Sequence, residues 1–115
     1  MRHLIEEIES VKIVRIQEDL GSKSTRPFRH LVEQVASKGF ERILFDFSGV
    51  RFVASMSITS LFSAYKKLKD GGGELGLVGV SPELAKIFEV VGLPALVKSF
   101  PTEREALDYF KEKEG

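Results

Sequence analysis

The chain has 115 residues, 43% of them hydrophobic and 30% charged, which suits one globular core and excludes a disordered, fibrous or membrane class. Its 17 basic and 17 acidic residues cancel, so no whole-chain field draws it to nucleic acid or an anionic membrane, and partner choice must be local. Cysteine is absent, which removes disulfides, thiolate zinc sites and cysteine nucleophiles. The charged start MRHLIEEIES and the lack of a membrane-length apolar run make the cytoplasm the expected compartment.

From His3 to Leu20 the pattern predicts a β-hairpin. Leu4, Ile5 and Ile8 fall in its first strand, Val11, Ile13, Val14 and Ile16 in its second, and Glu9-Ser10 in the turn. Gly21 to Ser24 reads as loop. Phe28, Leu31, Val32, Val35 and Ala36 then recur at helical spacing, with Gly39 as the stop. Ile43 to Phe47 is a short, nearly continuous apolar run, as expected of a central strand covered on both faces. The loop SGVRFVAS follows, and Ile58, Leu61, Phe62, Tyr65 and Leu68 mark a second helix that begins near Ser55 and halts at Gly71-Gly72-Gly73.

Leu75 to Val80 reads as a buried strand whose glycines allow close helix approach. Ser81-Pro82 opens a third helix with Leu84, Ile87, Phe88 and Val91 as its apolar face, ended by Gly92 and Pro94. Leu96 to Phe100 is a last short strand, and Thr102 with Glu105 forms a capping box for a final helix through Leu107 and Phe110. The order ββαβαβαβα predicts one α/β domain over residues 1–115: a hairpin, then right-handed crossovers, in a mostly parallel sheet of four or five strands with about four helices.

Catalytic chemistry finds few candidates. His3 and His30 lack companions at metal-ligand spacing, so surface histidines are expected and no metal or other cofactor is implied. Gly71-Gly72-Gly73 ends a helix and lacks the lysine and hydroxyl of a phosphate loop. Asp46 with Ser48 and Ser55 has no histidine nearby in sequence, which leaves only a tertiary contact with His30 to complete a nucleophile triad.

The stretch ILFDFSGVRFVASMSITS, residues 43–60, resembles the STAS family, in particular members that antagonise anti-sigma factors. Those members read aspartate, apolar, serine, a short spacer, an apolar pair, then Asp-Ser-Ser-Gly opening a helix. Asp46-Phe47-Ser48 and Phe52-Val53 match the first parts, and ungapped alignment sets Ala54, Ser55, Met56 and Ser57 on the last. Leu20 fits the family's N-terminal Gly-Glu-Leu-Asp segment, and AYKKLKDGGGELGLVGVSPELAKIFEVVGL extends the likeness over nearly the whole chain. In two positions the chain departs from the pattern: Gly21 stands where a loop aspartate follows the leucine, and Ala54 replaces the aspartate before the acceptor.

The resemblance implies a STAS-type fold and no enzymatic activity of the chain's own. It implies a serine-kinase anti-sigma factor as partner, phosphorylation at Ser55, and a contact surface of Gly21, Ser22, Lys23, Arg51, Ala54, Ser55, Met56 and Ser57, with no direct nucleic-acid contact and no membrane insertion. Physically, Ser55 suits a phosphate acceptor, a helix cap, or both. Arg51 is either an orienting cation or a solvated one, and Met56 a soft contact if exposed and core if buried. Lys23, Arg26, Arg29 and His30 form a candidate basic edge for an acidic partner, with Asp19 or Glu18 as substitutes for the lost loop carboxylate. Two other classes remain beside this one: a constitutive STAS scaffold in a transporter-associated or stress-signalling assembly, and a small-ligand module.

Overall fold

The computed structural model describes residues 1–37 and 42–114. Strands β1 (His3–Ile8) and β2 (Val11–Ile16) pair antiparallel through a tight turn in which Glu9 and Ser10 both adopt positive φ, the geometry that matches the right-handed twist of a two-residue hairpin. The chain then passes through a short 3-10 turn, Ser22–Ser24, where a loop is expected. It continues as α1 (Thr25–Ser37), β3 (Arg42–Asp46), α2 (Ser55–Asp70), β4 (Glu74–Val78), α3 (Pro82–Val90), β5 (Lys98–Phe100) and α4 (Glu103–Glu114). The predicted stop at Gly39 lies outside the described residues.

The five strands lie in sequence order, and β2 to β5 are parallel. Because the order never reverses, crossovers of one hand must deliver their helices to one face. Accordingly α1, α2 and α3 pack together over Val14, Ile16, Ile43, Phe45, Leu75 and Leu77. The last helix returns across the opposite face, where Ala106, Leu107 and Phe110 cover Val11, Ile13, Leu44 and Val78. Period-two alternation therefore divides each central strand between two cores, which is why the Ile43 to Phe47 run reads as continuously apolar. Gly76 makes the second core possible: a Cβ there would stand 3.1 Å from the rings of both Phe100 and Phe110.

Two boundaries differ from expectation. The final strand is three residues long, beginning at Lys98, with Val97 buried but Leu96 exposed. On α3 only Leu84 and Phe88 are buried, while Ile87 and Val91 are exposed and Val90 is 86% exposed. The helix has nine residues, and one i, i+4 pair, Leu84 and Phe88, forms its buried stripe. Its start is as expected: the Leu84 N–H donates to Ser81 Oγ at 3.2 Å, with Pro82 in the first turn. Likewise, the Glu105 N–H donates to Thr102 Oγ1 at 3.2 Å.

Candidate partner-binding surface

The loop joining β3 to α2 is built outward from Asp46. Asp46 Oδ1 accepts from the Ser48 N–H at 2.9 Å and the Ser48 hydroxyl at 2.6 Å, and Oδ2 accepts from Arg15 at 2.8 Å. Burial pushes this carboxyl up, but the Ser48 donors and Arg15 outweigh it and hold the group below the ordinary carboxylate range. Arg15 also reaches Glu6 at 2.6 Å and Glu103 at 2.7 Å, tying the hairpin and the first turn of α4 to the same point. Both Asp46 oxygens are thus engaged structurally. His30 sits elsewhere, in a groove with Met1, His3 and Arg26, so the three groups form no triad.

Beyond Ser48 the loop turns back over the core, with Val50 and Val53 buried on either side of exposed Arg51 and Phe52. A second segment holds it. Leu20 forms a parallel bridge with Val53, its N–H donating to Phe52 O at 2.9 Å and its carbonyl accepting from the Ala54 N–H at 2.7 Å. One residue earlier, Asp19 Oδ1 accepts from the Arg51 N–H at 2.7 Å while Arg51 Nη2 lies 3.5 Å from Oδ2. That amide, foremost, keeps the Asp19 carboxyl below its usual range. Asp19 is therefore an internal anchor of the loop, a role the sequence concealed, and Gly21, Ser22 and Lys23 follow directly on Leu20, which holds the Phe52 to Ala54 backbone.

At the start of α2 the N-cap is Ala54, extended at φ −67° and ψ 152° and without any side-chain acceptor for the first amides. Ser55 is the first helical residue and is exposed. The expectation that Ser55 caps the helix is corrected: a cap must sit one position earlier, outside helical geometry, to reach back to the amides. The expected contact at Ser57 is corrected as well. Its N–H donates to Ala54 O at 2.9 Å and its side chain turns into the core, fully buried, with no partner for the hydroxyl among the described residues. Two positions after an outward Ser55, a helix has turned about 200°.

Exposed on the same segment as Ser55 are two large apolar side chains, Phe52 at 53% and Met56 at 56% exposure. Sequence grouped Phe52 with Val53 as an apolar pair; only the alternation of an extended segment, with Val53 inward, signals that Phe52 faces out. Met56 also lines a groove of about 130 Å³ between α1 and α2, together with Thr25, Arg29 and Thr59. The basic edge therefore divides: Arg29 faces the Met56 groove, whereas Arg26 and His30 face the N-terminus. Lys23 is exposed on the 3-10 turn.

The family model for the STAS domain matches residues 3–106. A Thermotoga neapolitana protein, a TM1081 homolog provisionally described as an anti-sigma factor antagonist, is 26% identical over 102 residues, covering 88% of this chain and 90% of that protein. The crystal structure of TM1081 from Thermotoga maritima, with the same provisional description, superposes with a TM-score of 0.87 at 21% identity, over 93% of this chain and 92% of that one. The Bacillus cell-fate determinant SpoIIAA in its phosphorylated form gives a TM-score of 0.73 at 21% identity, over 95% and 99%. At these identities the structural matches establish the fold. Among the described residues, no helix is long and apolar enough to cross a membrane.

Proposed function

The chain belongs to the STAS domain family, and on that footing we propose that it is an anti-sigma factor antagonist that docks on a kinase-type anti-sigma factor in the cytoplasm, releases the sigma factor, and is switched off by phosphorylation at Ser55. The observation that carries this reading is the exposed Ser55 at a helix start without a side-chain cap, on a segment that also exposes Phe52 and Met56. The partner supplies ATP, magnesium and the general base. Ser55 Oγ attacks the γ-phosphorus, ADP leaves, and the hydroxyl proton passes to the partner's base, so this chain contributes only an acceptor and a docking surface.

A phosphate at Ser55 adds a charge of about −1.5 to −2 at a helix N-terminus whose dipole and free amides favour anions, so the fold tolerates it. The interface does not, because the charge would have to be desolvated alongside two apolar contacts. A second reading, a constitutive scaffold that is never phosphorylated, is favoured by one feature. Gly21 and Ala54 carry no carboxylate, and Asp19, the nearest candidate substitute, is already held by Arg51.

Incubation with the cognate kinase-type anti-sigma factor and ATP, followed by intact mass and peptide mapping, separates the two. One added phosphate on Ser55, abolished in Ser55→Ala without a change in melting temperature, is the expected result. An unmodified chain supports the scaffold, and phosphate on Thr59 overturns the assignment of the acceptor.

A further inference from the structure

At the opposite end of α2 from Ser55, about 24 Å along a 16-residue helix, the surface gathers cations around a groove of about 280 Å³. Lys69, Lys98 and Lys113 line it with Tyr65, Tyr109 and Glu74. Lys98 Nζ lies 4.7 Å and Lys113 Nζ 5.2 Å from the centre of the same Tyr109 ring, so the two ammonium groups are no further apart than roughly the screening length at 0.1 M salt. Lys69 donates to the Tyr65 hydroxyl at 3.0 Å. Glu74, 3.1 Å from Lys113, is the carboxylate of the groove, and neither Lys69 nor Lys98 forms an ion pair among the described residues.

We propose that this groove is a binding site for a small multivalent oxyanion of the phosphate class. Three ammonium groups against two carboxylates, Glu74 on Lys113 and Asp70 near Lys69, leave the groove net positive and suited to a small anion. The tyrosines pre-position the lysines over their rings, so the ordering that a flexible lysine normally undergoes on binding is partly complete beforehand. Lysine ammoniums act as point charges, which suit tetrahedral phosphate better than planar carboxylate, for which an arginine fork would be matched. The space exceeds one phosphate group and admits a diphosphate or a phosphate ester. The site is remote from the Phe52, Ser55 and Met56 surface and independent of whether Ser55 is phosphorylated.

Inorganic pyrophosphate is the probe, titrated calorimetrically into the intact chain at constant ionic strength, with sodium chloride as the blank and backbone amide shifts followed in parallel. Saturable binding with Kd below about 1 mM is expected, weakened at least roughly tenfold in Lys69→Ala/Lys98→Ala and unchanged in Ser55→Asp. Amide shifts should centre on residues 73–75 and Lys98. If the double variant melts early, Lys98→Gln alone carries the comparison. Absence of saturation, unchanged affinity in the folded lysine variants, or shifts confined to Arg26 and His30 would overturn the proposal.

Discussion

Replacing Gly79 by alanine probes the support of the Ser55 loop at its tightest point. Gly79 has φ +73°, and a Cβ there would collide with Ser48 Oγ and stand 2.8 Å from Ser48 N and 3.0 Å from Asp46 Oδ1. The left-handed conformation costs an alanine about 1 to 2 kcal/mol. To make room, Ser48 must also move off Asp46, loosening two hydrogen bonds to a charged acceptor, each worth about 1.5 kcal/mol or more. Reduced freedom of the unfolded chain returns less than about 1 kcal/mol. The expected loss is therefore roughly 3 to 4 kcal/mol, a fall in Tm of more than about 10 °C for a domain of this size. Urea unfolding followed by circular dichroism measures it. In Gly79→Ala/Ser48→Ala part of the loss should return, because the hydroxyl collision disappears while the contact with the Ser48 amide and the positive φ remain. A loss under about 1 kcal/mol in the single variant would refute the reasoning.

Ser57→Ala should stabilise the protein by about 1 kcal/mol, since it removes a buried hydroxyl without a partner among the described residues and improves helix propensity; a lower melting temperature would contradict this. Asp46→Asn should cost about 1 to 2 kcal/mol at neutral pH. Because the folded carboxyl titrates below its unfolded value near 3.9, its stabilisation is present above that pH and is lost as pH falls through the folded value. The gap between wild type and variant in urea midpoint should accordingly narrow below about pH 4, and a widening gap would exclude the proposed hydrogen bonding. Asp19→Ala should free the Arg51 amide, raising its hydrogen-exchange rate roughly tenfold or more while leaving amides of β3 protected; unchanged exchange would remove Asp19 as the loop's anchor.

Much of the architecture was legible because local signals agreed with the global fold. The Glu9-Ser10 turn and the Ser81-Pro82 start are local signals and form as read, and of the Thr102 to Glu105 box the Thr102 half forms, its hydroxyl accepting from the Glu105 N–H. The family likeness placed Ser55 at the start of α2, where the backbone puts it. Long-range facts were illegible. That Ile87 and Val91 stay in water depends on which face of α3 the rest of the fold covers, which no helical periodicity records. That Asp19 folds onto Arg51 depends on a contact 32 residues apart in sequence. The cap role left open for Ser55 misses by one position, because a serine at the first helical residue and one at the cap look alike until the backbone dihedrals of Ala54 are known. The lysine groove joins residues from α2, β5 and α4, and only the packing of those elements reveals it.

Calorimetric titration of wild type and Ser55→Asp against the same kinase-type anti-sigma factor, with thermal melts of both, decides whether Ser55 is the switch. A carboxylate at the first turn of α2 suits the helix dipole, so the melting temperature should stay within a few degrees. The added charge beside Phe52 and Met56 should weaken binding at least tenfold, about 1.4 kcal/mol. Equal affinities for the two proteins would take Ser55 out of the interface and contradict the switch.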